Sequence, residues 1–290
     1  MDRRRINNLF RLEIWGYNKG GRNITMKYST IILEKAGGIA TITLNRQEKL
    51  NAVNAQMLEE IIDAVGQVAR DDTTRVLVLT GAGRVFCAGG DINWFNNVIE
   101  ERKRGREIMD YSLFTGFCVA LRNTLQPTIA SINGAAIGAG ITMTLNCDIR
   151  IAAEEAIISF PFTSMAGIIP ELSSTYALPR LVGIAKACEL VFTGKSITGK
   201  EAKEIGLVND AVPLADLQRS TSELAETIAQ ASAPAVQLAK RGLYQGLNAD
   251  VYSQLLWEEE GLRSTLKSED HEEAVQAFLE KRKPEFKGKR

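Results

Sequence analysis

Apolar and polar residues alternate over residues 29–34 and 38–44, the two-residue period of a half-buried strand pair turning at Lys35-Ala36-Gly37. From 51 to 69 the spacing changes. Met57, Ile61, Ile62, Val65 and Val68 now share one face of a helix, closed by Asp71-Asp72. Residues 76–79 (Val-Leu-Val-Leu) and 128–132 (Thr-Ile-Ala-Ser-Ile) are short continuous runs of the kind found in strands buried on both faces. Residues 111–125 predict a helix that stops before Pro127. Strand, loop and helix then follow from 128 to 147, with short strands predicted at 148–152 and 156–160. The pattern is mainly helical over 171–190, and a last strand is predicted in 206–212. Beyond it lie four amphipathic helices, at about 214–232, 234–246, 249–266 and 270–281, with Pro234 suited to a first helical turn. These are too polar to build a core alone and must pack on the main domain or on neighbouring subunits. Strands alternating with helices predict an α/β fold with its site at strand carboxyl ends. The polar stretch 96–107 predicts a mobile loop or exposed helix over that site.

Composition narrows the function classes. The 290 residues are 45% apolar, enough for one large domain with a helical appendage. Lys and Arg number 35 and so do Asp and Glu, with no basic stripe, so a nucleic-acid partner is not expected. Cys87, Cys118, Cys147 and Cys188 show no CxxC spacing, which argues against a disulfide framework or a metal site and for a cytoplasmic protein. No apolar run is long enough to span a membrane. The single histidine, His271, lies in a charged C-terminal stretch, so a histidine-based triad has little to draw on. Residues 1–25 read as a leader with Met26 as the natural beginning, residues 26–212 as the core, and 213–290 as a helical region.

Two glycine-rich loops carry the candidate chemistry. One is Phe86-Cys87-Ala88-Gly89-Gly90-Asp91 and the other runs from Asn133 through Gly134, Gly138 and Ala139 to Gly140. Each follows a predicted buried strand and leads into a helix. Small residues let the backbone approach a ligand, and two facing loops can aim two N–H groups at one oxygen. Neither loop is a dinucleotide fingerprint: the third glycine position falls on Phe86 after Gly81 and Gly83, and on Met143 after Gly138 and Gly140.

At these loops the chain resembles the crotonase superfamily, also called the enoyl-CoA hydratase/isomerase family. The likeness runs from Met26 to Lys281. It includes Leu44-Asn45-Arg46, Leu50-Asn51-Ala52, both loops, Cys147-Asp148, Leu178-Pro179-Arg180 and the motif from Ala202 to Val208. The resemblance implies a spiral of ββα units with a C-terminal helical region that assembles homotrimers, or homohexamers built from two trimers. It implies an acyl-CoA substrate and no cofactor beyond its CoA moiety. It places oxyanion donors at the Gly90 and Ala139 N–H groups, with the CoA adenine held near Ala88. Gly89, Asp91, Ile92, Gly138 and Gly140 would complete the loops around the thioester, and Trp94 would line the acyl pocket or its lid. Asp91 is read as bracing its loop. Phe278 with Lys281 matches a region where relatives contact CoA, the alternative being a solvated basic tail.

The chain departs from the hydratases of the family at both of their glutamates. The first position holds Thr142 and the second falls on Thr163. Glu171, after Gly167-Ile168-Ile169-Pro170, occupies the position that carries the acid in enoyl-CoA isomerases and some dehalogenases. Its surroundings resemble the single-acid Δ3,Δ2-enoyl-CoA isomerase type, in which one carboxylate moves a proton from C2 to C4. The other role open to Glu171 is a first-turn residue of the helix after Pro170. Three readings therefore stand: an isomerase, a hydratase or hydrolase on an unusual acyl group, and a non-catalytic acyl-CoA-binding relative.

Overall fold

The computed structural model describes residues 28–288; the leader assigned to residues 1–25 lies outside them. A six-stranded sheet has the order β1-β2-β3-β5-β7-β10, comprising β1 (Ile31–Ala36), β2 (Ile39–Leu44), β3 (Val76–Gly81), β5 (Thr128–Ile132), β7 (Ile149–Ala153) and β10 (Asp210–Val212). A smaller sheet has the order β4-β6-β8-β9, comprising β4 (Val85–Cys87), β6 (Ala135–Ile137), β8 (Ile157–Ser159) and β9 (Ile197–Thr198). The pairs β3-β4, β5-β6 and β7-β8 each place their first strand in the large sheet and their second in the small one. Repetition of that step makes the chain a spiral. Among the described residues, only β1 and β9 pair antiparallel to a neighbour.

Of the second sheet the residue pattern predicts only β8, within 156–160, whereas β4 and β6 fall in or beside the predicted glycine loops. Three residues are too few to show alternation, and only pairing in space makes them strands. The first helix, α1 (Ala55–Ala69), opens later than the spacing predicts. Asn51 is left-handed, Val53 bridges Gly90, and Asn54 caps the helix through the Met57 N–H at 2.9 Å. Met57, Leu58, Ile61, Ala64, Val65 and Val68 of α1 are buried in the main core, about 1.5–3 kcal/mol for each large side chain. The polar stretch expected as a lid is α2 (Ile92–Lys103), capped by Asp91, and α3 (Ser112–Asn123) follows. After the short α4 (Ala139–Thr144), the helical stretch begins only at Ser174, as α5 (Ser174–Val182), and Gly183 separates it from α6 (Ile184–Thr193). A short helix α7 (Gly199–Glu204), with a full capping box, precedes β10.

The C-terminal helices are α8 (Leu214–Ala229), α9 (Ala233–Gly246), α10 (Val251–Thr265) and α11 (Glu269–Leu279). Helix α8 buries Leu217, Thr221 and Ala225 on the large sheet. Helix α9 is tied down by a buried ion pair, Lys240 to Asp148 at 2.7 Å, and by the Tyr244 hydroxyl on the other oxygen of Asp148. Helices α10 and α11 leave Leu255, Leu256, Leu262 and Phe278 in solvent. No helix among the described residues is long and apolar enough to cross a membrane.

Candidate active site

The two glycine loops leave the carboxyl ends of adjacent parallel strands. Cys87 of β4 is the register partner of Ala136 of β6, so Gly90 and Ala139 each stand three residues past a paired position. Contact between the loops is backbone to backbone. A methyl group on Gly140 would lie 2.3 Å from the carbonyl oxygen of Cys87, so only glycine permits this approach. Gly138 has φ 51° and ψ −118°, a conformation closed to other residues, and it turns the chain directly into α4. Neither the Gly90 N–H nor the Ala139 N–H donates a hydrogen bond to any described residue. Two unpaired donors on neighbouring loops form an arrangement suited to an oxyanion.

Polar side chains brace the first loop from the segment after β2. Arg46 Nη2 pairs with Asp91 Oδ2 at 2.8 Å, both nearly buried, and Asp91 Oδ1 accepts from the Asn93 N–H at 2.9 Å. Burial alone would raise the Asp91 carboxyl, but the hydrogen bond and charge of Arg46, with the α2 N–H groups, outweigh it and hold it below the ordinary range. The fully buried Asn51 donates to the carbonyls of Ala82, Val85 and Phe86 and accepts from the Arg46 N–H. The Leu44-Asn45-Arg46 and Leu50-Asn51-Ala52 motifs are therefore the splint of this loop. Their place in the sequence was legible; the partners were not.

Glu171 reaches the second loop. The Thr142 hydroxyl, on α4, lies 3.1 Å from Glu171 Oε1 and 3.3 Å from the carbonyl oxygen of Ala139. One proton serves one acceptor at a time, so the hydroxyl donates to Glu171 when the carboxylate is ionised and can turn away when it is protonated. Burial pushes the Glu171 carboxyl up to about 7, against the opposing pull of the Thr142 hydrogen bond. Glu171 does not occupy a helical first turn. Leu172 and Ser173 intervene, both left-handed, and α5 begins at Ser174.

The remaining candidates are distributed around this centre. Ala88 is exposed, with its N–H on the Leu50 carbonyl, and Gly89 accepts from the Val53 N–H. Ile92 is 75% exposed at the start of α2. Trp94 stacks on Phe95 and on Phe114 of α3, with ring centroids 5.4 Å and 6.0 Å apart, making an aromatic wall. Thr163 donates to the Val191 carbonyl instead of meeting Glu171. It lines a separate apolar cavity of about 660 Å³ with Ile168, Ile169, Leu178 and Phe192. That cavity borders Pro170 and Ser174, yet neither Glu171 nor the unpaired N–H groups line it. Phe278 is 84% exposed, and Lys281 follows it just past α11; no hydrogen bond or ion pair joins either to the loops.

The family described as enoyl-CoA hydratase/isomerase matches residues 34–289. The chain belongs to the enoyl-CoA hydratase/isomerase family. Within this family it is 37% identical over 263 residues to a short-chain-enoyl-CoA hydratase of Clostridium acetobutylicum, covering 90% of this chain and 98% of that protein. It is 36% identical over 254 residues to a 1,2-epoxyphenylacetyl-CoA isomerase of Escherichia coli, covering 87% and 96%. The crystal structure of an enoyl-CoA hydratase from Bacillus anthracis superposes with a TM-score of 0.82 at 37% identity, over 90% of this chain and all of that one. Family membership makes this an acyl-CoA enzyme with the crotonase fold. Because the family's members include both hydratases and isomerases, the reaction turns on the carboxylates.

Proposed function

We propose that this enzyme moves the double bond of an enoyl-CoA, with Glu171 as the only acid–base group. The observation that carries the reading is the pairing of one carboxylate, raised to about 7 by burial, with Thr142 where a first glutamate would stand. The thioester oxygen accepts from the Gly90 and Ala139 N–H groups. Glu171, ionised and oriented by Thr142, takes a proton from C2 of a 3-enoyl thioester. The electron pair moves toward the thioester oxygen, and the enolate gains about 3 kcal/mol from each donor. The protonated Glu171 then returns the proton at C4, which shifts the double bond to C2–C3 and restores the carboxylate. A carboxyl titrating near 7 is matched to both half-steps, because it gives and takes the proton with nearly equal ease.

The rest of the site follows from the same reading. Ala88 and Gly89 hold the CoA end, Asp91 keeps the first loop in shape, and Ile92 and Trp94 border the acyl chain. The exposed apolar faces of α10 and α11 suit a homotrimer or a pair of trimers, in which Phe278 and Lys281 reach a neighbour's CoA. Four unpaired cysteines fit a cytoplasmic enzyme. Hydratase relatives keep one second reading alive, with Glu171 activating water for addition to a 2-enoyl thioester.

The purified protein and its Glu171→Gln variant are assayed side by side on 3-hexenoyl-CoA and crotonyl-CoA. Isomerisation of the first, no hydration of the second, and a loss of about a thousandfold or more in the variant are expected. Hydration of crotonyl-CoA that depends on Glu171 selects the second reading, and activity that survives in the variant removes Glu171 from the mechanism.

A further inference from the structure

Glu171 stands on an irregular piece of backbone. Leu172 and Ser173, which follow it, have φ of 53° and 60°. Two consecutive residues with side chains in the left-handed region are disfavoured, and a buried branched residue such as Leu172 especially so. Such a segment persists only where its surroundings over-determine it. Ser173 also occupies the cap position of α5, yet its hydroxyl makes no capping bond there. Serine at a helix start normally turns its oxygen onto the first N–H groups. Here the hydroxyl donates to Asn146 Oδ1 at 2.7 Å.

Asn146 is completely buried just past the end of α4. Its amide nitrogen donates to the Thr142 carbonyl at 3.2 Å and to the Leu172 carbonyl at 3.0 Å. With the Ser173 hydroxyl on its oxygen, the side chain is engaged at both ends. Two carbonyl acceptors settle which end is nitrogen. The three partners are the residue that hydrogen-bonds Glu171 and the two residues that follow it.

We propose that Asn146 is a positioning residue that holds the Glu171–Ser173 turn against α4, so that the carboxyl group meets Thr142. The proposal rests on Glu171 being the catalytic base. Asn146 touches no reacting atom in this scheme. It fixes the Glu171 turn relative to α4 by bonding the Thr142 carbonyl on one side and the Leu172 carbonyl and Ser173 hydroxyl on the other.

The test compares wild type, Asn146→Ala, Asn146→Ala with Ser173→Gly, and Glu171→Gln on 3-hexenoyl-CoA, with hexanoyl-CoA binding as a check on the loops. Displacing a base by an ångström costs about a hundredfold, so Asn146→Ala is expected to lose about tenfold or more in kcat. KM and hexanoyl-CoA affinity should stay within about twofold, since the loops are untouched. Glycine adopts the left-handed conformation without strain, so adding Ser173→Gly should recover kcat by about threefold or more. A purely structural role would not give that rescue. Wild-type kcat in Asn146→Ala beside an inactive Glu171→Gln overturns the positioning role alone, as does a loss that Ser173→Gly leaves untouched. Full activity of Glu171→Gln overturns the reading of the base and this proposal with it. Where Asn146→Ala does not fold, Ser173→Ala decides: a loss of about threefold or more in kcat at unchanged KM supports the clamp, and wild-type kcat overturns it.

Discussion

The two glycine loops present equivalent N–H groups from equivalent register positions, but they are held in place by different physics. The first is splinted from outside. Arg46, Asn51 and Asp91 join it to the segment after β2 through an ion pair and a buried amide, and Gly90 bridges Val53. The second is tied by a side chain only at its start, where Asn133 accepts from the Gly81 N–H at 3.2 Å and donates to the Gly83 carbonyl at 2.9 Å. It is wedged against the first by backbone contact at Gly140 and is turned by the conformation of Gly138. A loop held by side chains can be weakened one interaction at a time, whereas a loop held by sterics has no slack. The carboxylates divide the same way. Asp91 belongs to the splint and is held ionised by Arg46, while Glu171 faces the wedge without a cation and is driven toward its neutral form. Opposed shifts in the two acids suit Asp91 to a structural role and Glu171 to proton transfer.

The largest effect is expected from breaking the splint. Asp91→Ala leaves the Arg46 guanidinium buried without its counter-ion, and should lower stability by about 3–5 kcal/mol in urea unfolding. Combining Asp91→Leu with Arg46→Met should recover most of that loss, because an apolar pair needs no partner. If the single variant unfolds within about 1 kcal/mol of wild type, the ion pair is not what holds the first loop.

Breaking the wedge should cost less stability and more activity. Gly140→Ala puts a methyl group onto the Cys87 carbonyl, and the overpacking should amount to about 1–3 kcal/mol. The only relief is separation of the loops, which moves the Ala139 N–H away from the Gly90 N–H. We therefore expect kcat to fall by about a hundredfold, the scale of losing one oxyanion donor. Stopped-flow turnover near wild-type rates in a folded Gly140→Ala protein would show that the wedge does not set the donor spacing.

The smallest effect sharpens the contrast between the acids. Glu171 has its carboxyl raised in the folded state, so its contribution to stability is full below the unfolded carboxyl range and is lost as pH rises through about 7. Relative to Glu171→Gln, wild type should lose about 1–2 kcal/mol between pH 5 and 8 once solvent contact is allowed for. Asp91 has the opposite sign. Its contribution is present above the unfolded carboxyl range and is lost only as pH falls through its lowered folded value. On the proposed mechanism, kcat on 3-hexenoyl-CoA should rise with pH through about 7, as Glu171 ionises. A pH-independent stability difference between wild type and Glu171→Gln would place Glu171 in a watery, unperturbed setting.

The sequence by itself determined the loops, the long helices and the candidate acid. These are local matters: a tight backbone approach demands glycine at particular positions, amphipathic periods show through in the residue order, and no carboxylate stands from Ala156 to Pro170. Tertiary structure alone decided β4, β6 and β9 of the second sheet, whose two or three residues carry no period of their own, while β8 falls within the strand predicted at 156–160. It also decided that Asp91 meets Arg46 from 45 residues away, and that Thr142 meets Glu171 across 29. The left-handed turn at Leu172 and Ser173, with Asn146 behind it, left no local mark, since neither residue prefers that conformation. What raises Glu171 is the removal of water by elements distant in the chain. Desolvation belongs to the packed neighbourhood and not to the residue, so it became readable only once the chain was folded.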